Sequence, residues 1–133
     1  MAVEHRAMAG DFPKVRLRIV LAPGVALGPG KADLLQGIAE TGSIRAAGRR
    51  LSMSYKRAWN LVGELNRGFE EPLIETGKGG AGGGGGAQLT MLGKEVLARF
   101  RAVEAALASS AGKDLDALVA QAKMDIEPGG DSG

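Results

Sequence analysis

Between Thr41 and Gly63 the chain carries Arg45, Arg49, Arg50, Lys56 and Arg57 and no carboxylate. Basic side chains gathered without compensating acids turn one face toward an anionic partner. An ordinary solvated surface is the competing reading, and charge by itself leaves both open. Asn60 follows Lys56 by four residues. Its amide both donates and accepts, so it can pair bidentately with adenine, while Lys56 can reach guanine acceptors or a phosphate. Other chemistries lack their parts. There is no cysteine and a single histidine, His5, near the start of the chain. Thiolate chemistry, a histidine-rich metal site and a histidine-based triad are thereby set aside, and no metal or other cofactor is implied. Glu70, Glu71 and Glu75 flank a short strand beside a turn and read as solvated charge. The chain is not expected to be an enzyme.

The stretch TGKGGAGGGGGAQLT, Thr76 to Thr90, invites a phosphate-loop reading and fails it. A Walker A loop needs glycine, four residues, then Gly-Lys-Ser or Gly-Lys-Thr. Here Gly77-Lys78 is followed by Gly79, and Pro72 stands where the first glycine belongs. Gly77 to Gly82 does match G-x-G-x-x-G, but a dinucleotide site needs a helix opening at the loop, and here a strand follows. What remains is a plain flexible loop or the tip of a wing, where glycines let the backbone approach a sugar-phosphate surface and Lys78 adds a charge.

These residues need elements to hold them. Lys14 to Leu21 alternates basic and apolar residues and reads as a half-buried strand, with APGVALGPG after it as a loop. A helix opens near Pro29, carries Leu34, Leu35 and Ile38 on one stripe, and stops at Gly42. Ser43 caps a second helix, with Ile44, Ala47 and Leu51 facing inward; Ala47 and Gly48 are small enough for close helix approach. Ser52 or Ser54 caps a third, with Ala58, Val62 and Leu65 on one face and Tyr55, Lys56, Trp59, Asn60 and Gly63 roughly on the other. Two helices joined this tightly form a helix-turn-helix. PLIET and AQLT, on either side of the glycine run, make a hairpin placed as a wing. Thr90 caps a long helix with an apolar seam, Leu92, Val96, Phe100, Val103 and Leu107. SSAG at 109–112 interrupts it before a shorter helix bearing Leu115, Leu118, Val119 and Ala122.

The expected organisation is a flexible arm over residues 1–13, a winged helix-turn-helix with a long C-terminal dimerisation helix over 14–108, a short helix over 109–124 and a disordered tail over 125–133. The fold class is mainly α with a small β-hairpin. At 133 residues and 44% hydrophobic content, with one Trp, one Tyr and three Phe, the core must be built from Leu, Ile, Val and Ala. Net charge is only +2 but unevenly distributed: three acids and no base follow Lys123. The longest apolar run, Ile19 to Leu27, holds Pro23 and Gly24 and is too short to span a bilayer. Absence of cysteine fits a reducing, cytoplasmic setting.

LLQGIAETGSIRAAGRRLSMSYKRAWNLVGELN followed by PLIETGKGGAGGGGGAQLTMLGKEVL resembles the N-terminal DNA-binding domain of ModE, the molybdate-responsive regulator, and more distantly the winged helix of LysR-type regulators. The resemblance rests on GSI at 42–44, SYKRAW at 54–59, the glycine-rich wing ending in Leu89-Thr90, and Gly93; it covers about residues 14 to 107. It implies a dimer reading a palindromic operator in double-stranded DNA, with the Leu92–Leu107 seam and the Lys14–Leu21 segment helping to build the dimer. The oxyanion-binding second half of full-length ModE has no counterpart in these 133 residues, so the resemblance is to single-domain members.

On this scheme the helix from Ser54 enters the major groove. Ser54, Tyr55, Lys56, Arg57 and Asn60 are then candidates for base or phosphate contact. Arg45, Arg49 and Arg50 neutralise phosphates from the preceding helix, and Lys78 does so from the wing. Position alone leaves Trp59 open between core and DNA face; the resemblance sets it toward the DNA. An architectural DNA-binding protein with little sequence preference, and an interaction module whose helix-turn-helix meets protein, are the alternatives.

Overall fold

The structure, a computed structural model, describes residues 12–77 and 86–123. The chain forms two units, Arg16–Glu104 and a second made of Met1–Val15 with Ala105–Gly133.

The larger unit opens with an antiparallel hairpin, β1 (Ile19–Ala22) against β2 (Val25–Leu27). The expected alternation is present: Val15, Leu17 and Ile19 are half-buried, while Lys14, Arg16 and Arg18 are exposed. Regular strand, however, starts only at Ile19 and not at Lys14, because β2 is three residues long and pairs no further back than Ile19. The stretch expected as a loop contains β2 itself. Pro23 presets the first turn position and Gly24, at φ 79°, takes the left-handed second one. A Pro-Gly pair between apolar runs was the readable signal.

Three helices follow: α1 (Pro29–Thr41), α2 (Ile44–Arg50) and α3 (Tyr55–Gly68). Each boundary has a local cause. Pro29 sits in the first turn of α1. Gly42 ends α1 at φ 73°, its N–H bonded to the Ile38 carbonyl at 2.8 Å. The Ser43 hydroxyl accepts from the Ala46 N–H at 2.9 Å and Ser54 from the Arg57 N–H at 3.0 Å, so each caps its helix. Ser52, the other candidate cap, lies instead in the turn with φ 60°.

Leu34, Leu35 and Ile38 of α1, Ala47 of α2, and Ala58 and Leu65 of α3 form the centre of the core. The helices meet closely where side chains are small: a Cβ on Gly48 would lie 3.1 Å from that of Ala58. The wing is β3 (Ile74–Gly77) paired antiparallel with β4 (Gly86–Leu89), Ile74 opposite Leu89 and Gly77 opposite Gly86. Residues 78–85, Lys78 among them, lie outside the described residues, as do most of the expected arm and the tail.

Thr90 caps α4 (Met91–Ser110), its hydroxyl accepting from the Gly93 N–H at 2.9 Å. Three helices and a flanking hairpin make this a winged helix-turn-helix. In the second unit, α4 runs on through Ser110 and α5 (Gly112–Gln121) begins after Ala111, a narrower break than 109–112. No described helix is long and apolar enough to cross a membrane.

Candidate nucleic-acid interface

The third helix divides cleanly. Ala58, Leu61, Val62 and Leu65 are buried against α1 and α2, while Tyr55, Lys56, Arg57, Trp59 and Asn60 are exposed. Trp59, open between two roles in the sequence, is 41% exposed and stands beside Tyr55, itself 40% exposed. Their rings meet edge to face at 6.0 Å. The guanidinium of Arg45, from α2, lies 4.1 Å from the centre of the Tyr55 ring. That cation–π contact joins the two helices at the start of α3 and keeps the Arg45 charge there.

Neither α2 nor α3 has an acid in its first turn, so the positive ends of both helix dipoles stand uncompensated. Among the described residues, Arg45, Arg49, Lys56 and Arg57 have no carboxylate partner. Arg50 does: its guanidinium donates to Glu40, which also accepts from Gln36 at 2.7 Å. The Arg50 and Gln36 hydrogen bonds hold the Glu40 carboxyl below its ordinary range. A phosphate would therefore have to take Arg50 from an exposed partner, an exchange of modest cost. Ser54 is occupied as the helix cap, leaving one lone pair and its proton for a ligand.

The wing is fastened to this surface at its base. The Ala87 N–H donates to the Gly42 carbonyl at 2.9 Å. Asn66, on the last turn of α3, accepts from the Leu73 and Ile74 N–H groups at 2.9 and 3.0 Å and donates to the Ile74 carbonyl at 3.2 Å. The Thr90 hydroxyl donates to the Pro72 carbonyl at 2.8 Å. Sequence reasoning passed over Asn66, since a polar residue near a helix end looks solvated.

The expected dimer seam is partly used up within the larger unit. Phe100 is core at 2% exposure, and Leu92 and Val96 are half-buried against it. Leu97, missing from the seam as read, is buried too, because one flank of α4 packs on the domain. Val103 remains 44% exposed and lines an apolar groove of about 270 Å³ with Ile19, Leu21, Leu27 and Phe69. Leu107, in the second unit, is 41% exposed.

A helix-turn-helix that exposes Tyr55, Lys56, Arg57 and Asn60 on its second helix, with a hairpin anchored beside it, is a winged helix-turn-helix with a basic outer face. Residues 31–94 match the bacterial regulatory helix-turn-helix proteins of the lysR family. The family is one of regulatory proteins, not of enzymes. The chain is similar to the molybdenum-pterin-binding protein MopA of Rhodobacter capsulatus, 42% identical over 86 residues, which are 65% of this chain and 32% of that one. It is 40% identical over 81 residues to the molybdenum transport protein ModE of Azotobacter vinelandii, covering 61% of this chain and 30% of that protein. To the DNA-binding transcriptional dual regulator ModE of Escherichia coli strain K12 it is 36% identical over 84 residues, 63% of this chain and 32% of the relative. The matched segment thus spans about a third of the length of these relatives.

Proposed function

We propose that this chain is a sequence-specific DNA-binding transcriptional regulator acting in the cytoplasm, that it binds a palindromic operator as a homodimer, and that it serves molybdate transport or molybdenum metabolism. One observation carries the reading: Lys56 and Asn60 stand exposed on the outer face of α3, Lys56 without a carboxylate partner among the described residues, beside a hairpin fixed to the same helix. A helix of this kind fits the major groove, where base edges present a distinguishable pattern. The link to molybdenum is supported by the names of the relatives. The apolar groove around Val103 supports self-association.

Selection of bound duplexes from a random pool tests the reading, with recovery of a two-fold symmetric site expected. Equal affinity for selected and scrambled duplexes would favour the architectural alternative. Within the interface, Asn60→Ala should cost about tenfold on the selected site and little on scrambled DNA. Arg49→Ala should weaken both alike and flatten the log–log salt dependence by about 0.9. Gel-shift titrations distinguish them; indistinguishable losses would refute these roles.

Val103→Glu should weaken self-association about tenfold or more, because it sets a charge in the apolar groove without touching a buried position. Light scattering across a concentration series reads this. An unchanged mass would remove the groove from the dimer.

A further inference from the structure

One cation on α3 has no role in the scheme above. Arg67 is exposed and lies eleven residues after Lys56, so Lys56, Asn60, Gly63 and Arg67 follow helical steps of four, three and four along one stripe. Its guanidinium lies back along this stripe: a Cβ built on Gly63 would stand 2.9 Å from Nη1 of Arg67. The nearest acid on the helix is Glu64, whose carboxylate is taken by Lys31 at 3.2 Å, with Lys31 also donating to the Ala26 carbonyl at 3.1 Å. Among the described residues Arg67 has no ion-pair partner.

Resting on the proposed DNA-binding function, we propose that Arg67 is a phosphate clamp, gripping the duplex backbone at the lip of the groove that Lys56 and Asn60 read. Eleven residues of helix span about 16 Å. The major groove is about 12 Å wide and winds around the duplex, so a straight helix whose N-terminal end sits on the floor leaves it toward the backbone over this length. The N-terminal end of a recognition helix is the one that meets base edges. Arg67, at the other end, therefore arrives at the backbone, where its planar fork suits a phosphate. Gly63 keeps the path between them clear, since any side chain there would displace the guanidinium.

The rival role is purely structural, a cation near the C-terminus of α3 offsetting the helix dipole. The test uses the full chain, short duplexes bearing the selected and a scrambled site, titrations from low to moderate salt, and thermal melts. Arg67→Ala is expected to lose about tenfold in affinity on both duplexes and to flatten the log–log salt slope by about 0.9. Arg67→Lys should keep the slope. A lowered melting temperature with an unchanged slope would overturn the clamp in favour of the dipole role. A loss confined to the selected site would overturn it in favour of base reading. If Lys56→Ala flattens the slope and Arg67→Ala does not, DNA binding stands and the clamp falls. If the unmutated chain binds neither duplex, the functional reading and the clamp fall together.

Discussion

Gly93→Ala is expected to destabilise the fold by about 3 kcal/mol, the upper end of the roughly 1–3 kcal/mol that overpacking typically costs, because the site has no slack. A Cβ on Gly93 would lie 2.1 Å from the Leu73 carbonyl oxygen and 3.0 Å from its carbon, far inside van der Waals contact. Both obstacles are backbone, so no rotamer change relieves them. Nor can the Leu73 peptide retreat. Its carbonyl accepts from the Thr90 N–H at 2.9 Å, its N–H is held by Asn66, and its side chain is fully buried. Alanine would force the first turn of α4 away from the Leu73 peptide and loosen the cap that Thr90 makes to the Gly93 N–H. For a domain of about a hundred residues this corresponds to roughly 15 °C in melting temperature. Gly30→Ala is the control, as nothing lies within 4 Å of a Cβ there and the site is helical and exposed. A Gly93→Ala melting curve within a degree or two of the parent, followed by circular dichroism, would show that the contact is not as close as the geometry makes it.

Gly93 also marks what the chain reveals by itself. It stands out in the sequence as part of a family signature, but its reason, a carbonyl from a residue twenty positions earlier, is not local. The same divide runs through the whole fold. Gly42, Ser43, Ser54 and Thr90 were readable as helix punctuation, because a cap bonds within three or four residues of itself. The buried stripe Ala58, Val62 and Leu65 was readable for the same reason, helical periodicity being local. Strand β2 was hidden because three residues make too short an alternation, and only pairing with β1 defines it. At the candidate interface, the exposed stations of Lys56 and Asn60 followed from the opposite face being apolar. The pairing of Arg50 with Glu40 did not, since ten residues and a helix turn separate them. Trp59 was undecided for a further reason: a large amphipathic ring at the edge of a stripe fits either side.

The bonds least visible in the sequence are those that set the wing against the reading helix, and Asn66 makes three of them. Asn66→Ala would leave the Leu73 and Ile74 N–H groups without acceptors, both on residues that are buried. Each orphaned donor costs about 1–3 kcal/mol, so a loss of roughly 3 kcal/mol is expected for the pair. Substitution by alanine keeps helical propensity, which places the cost in the lost bonds and not in α3 itself. Asn66→Asp retains an acceptor for both N–H groups but turns a carboxylate oxygen toward the Ile74 carbonyl, where the amide donated at 3.2 Å, and should fall between alanine and the parent. The two variants also separate stability from function. A wing released from α3 should weaken DNA binding even at temperatures where Asn66→Ala is fully folded, while Gly30→Ala, far from these bonds, should leave affinity unchanged. Amide exchange at Leu73 and Ile74 is the direct readout, with protection lost in the alanine variant and partly kept in the aspartate. Protection retained in Asn66→Ala would mean that water or another group satisfies those amides, and that the wing is held by Gly42 and Thr90 alone.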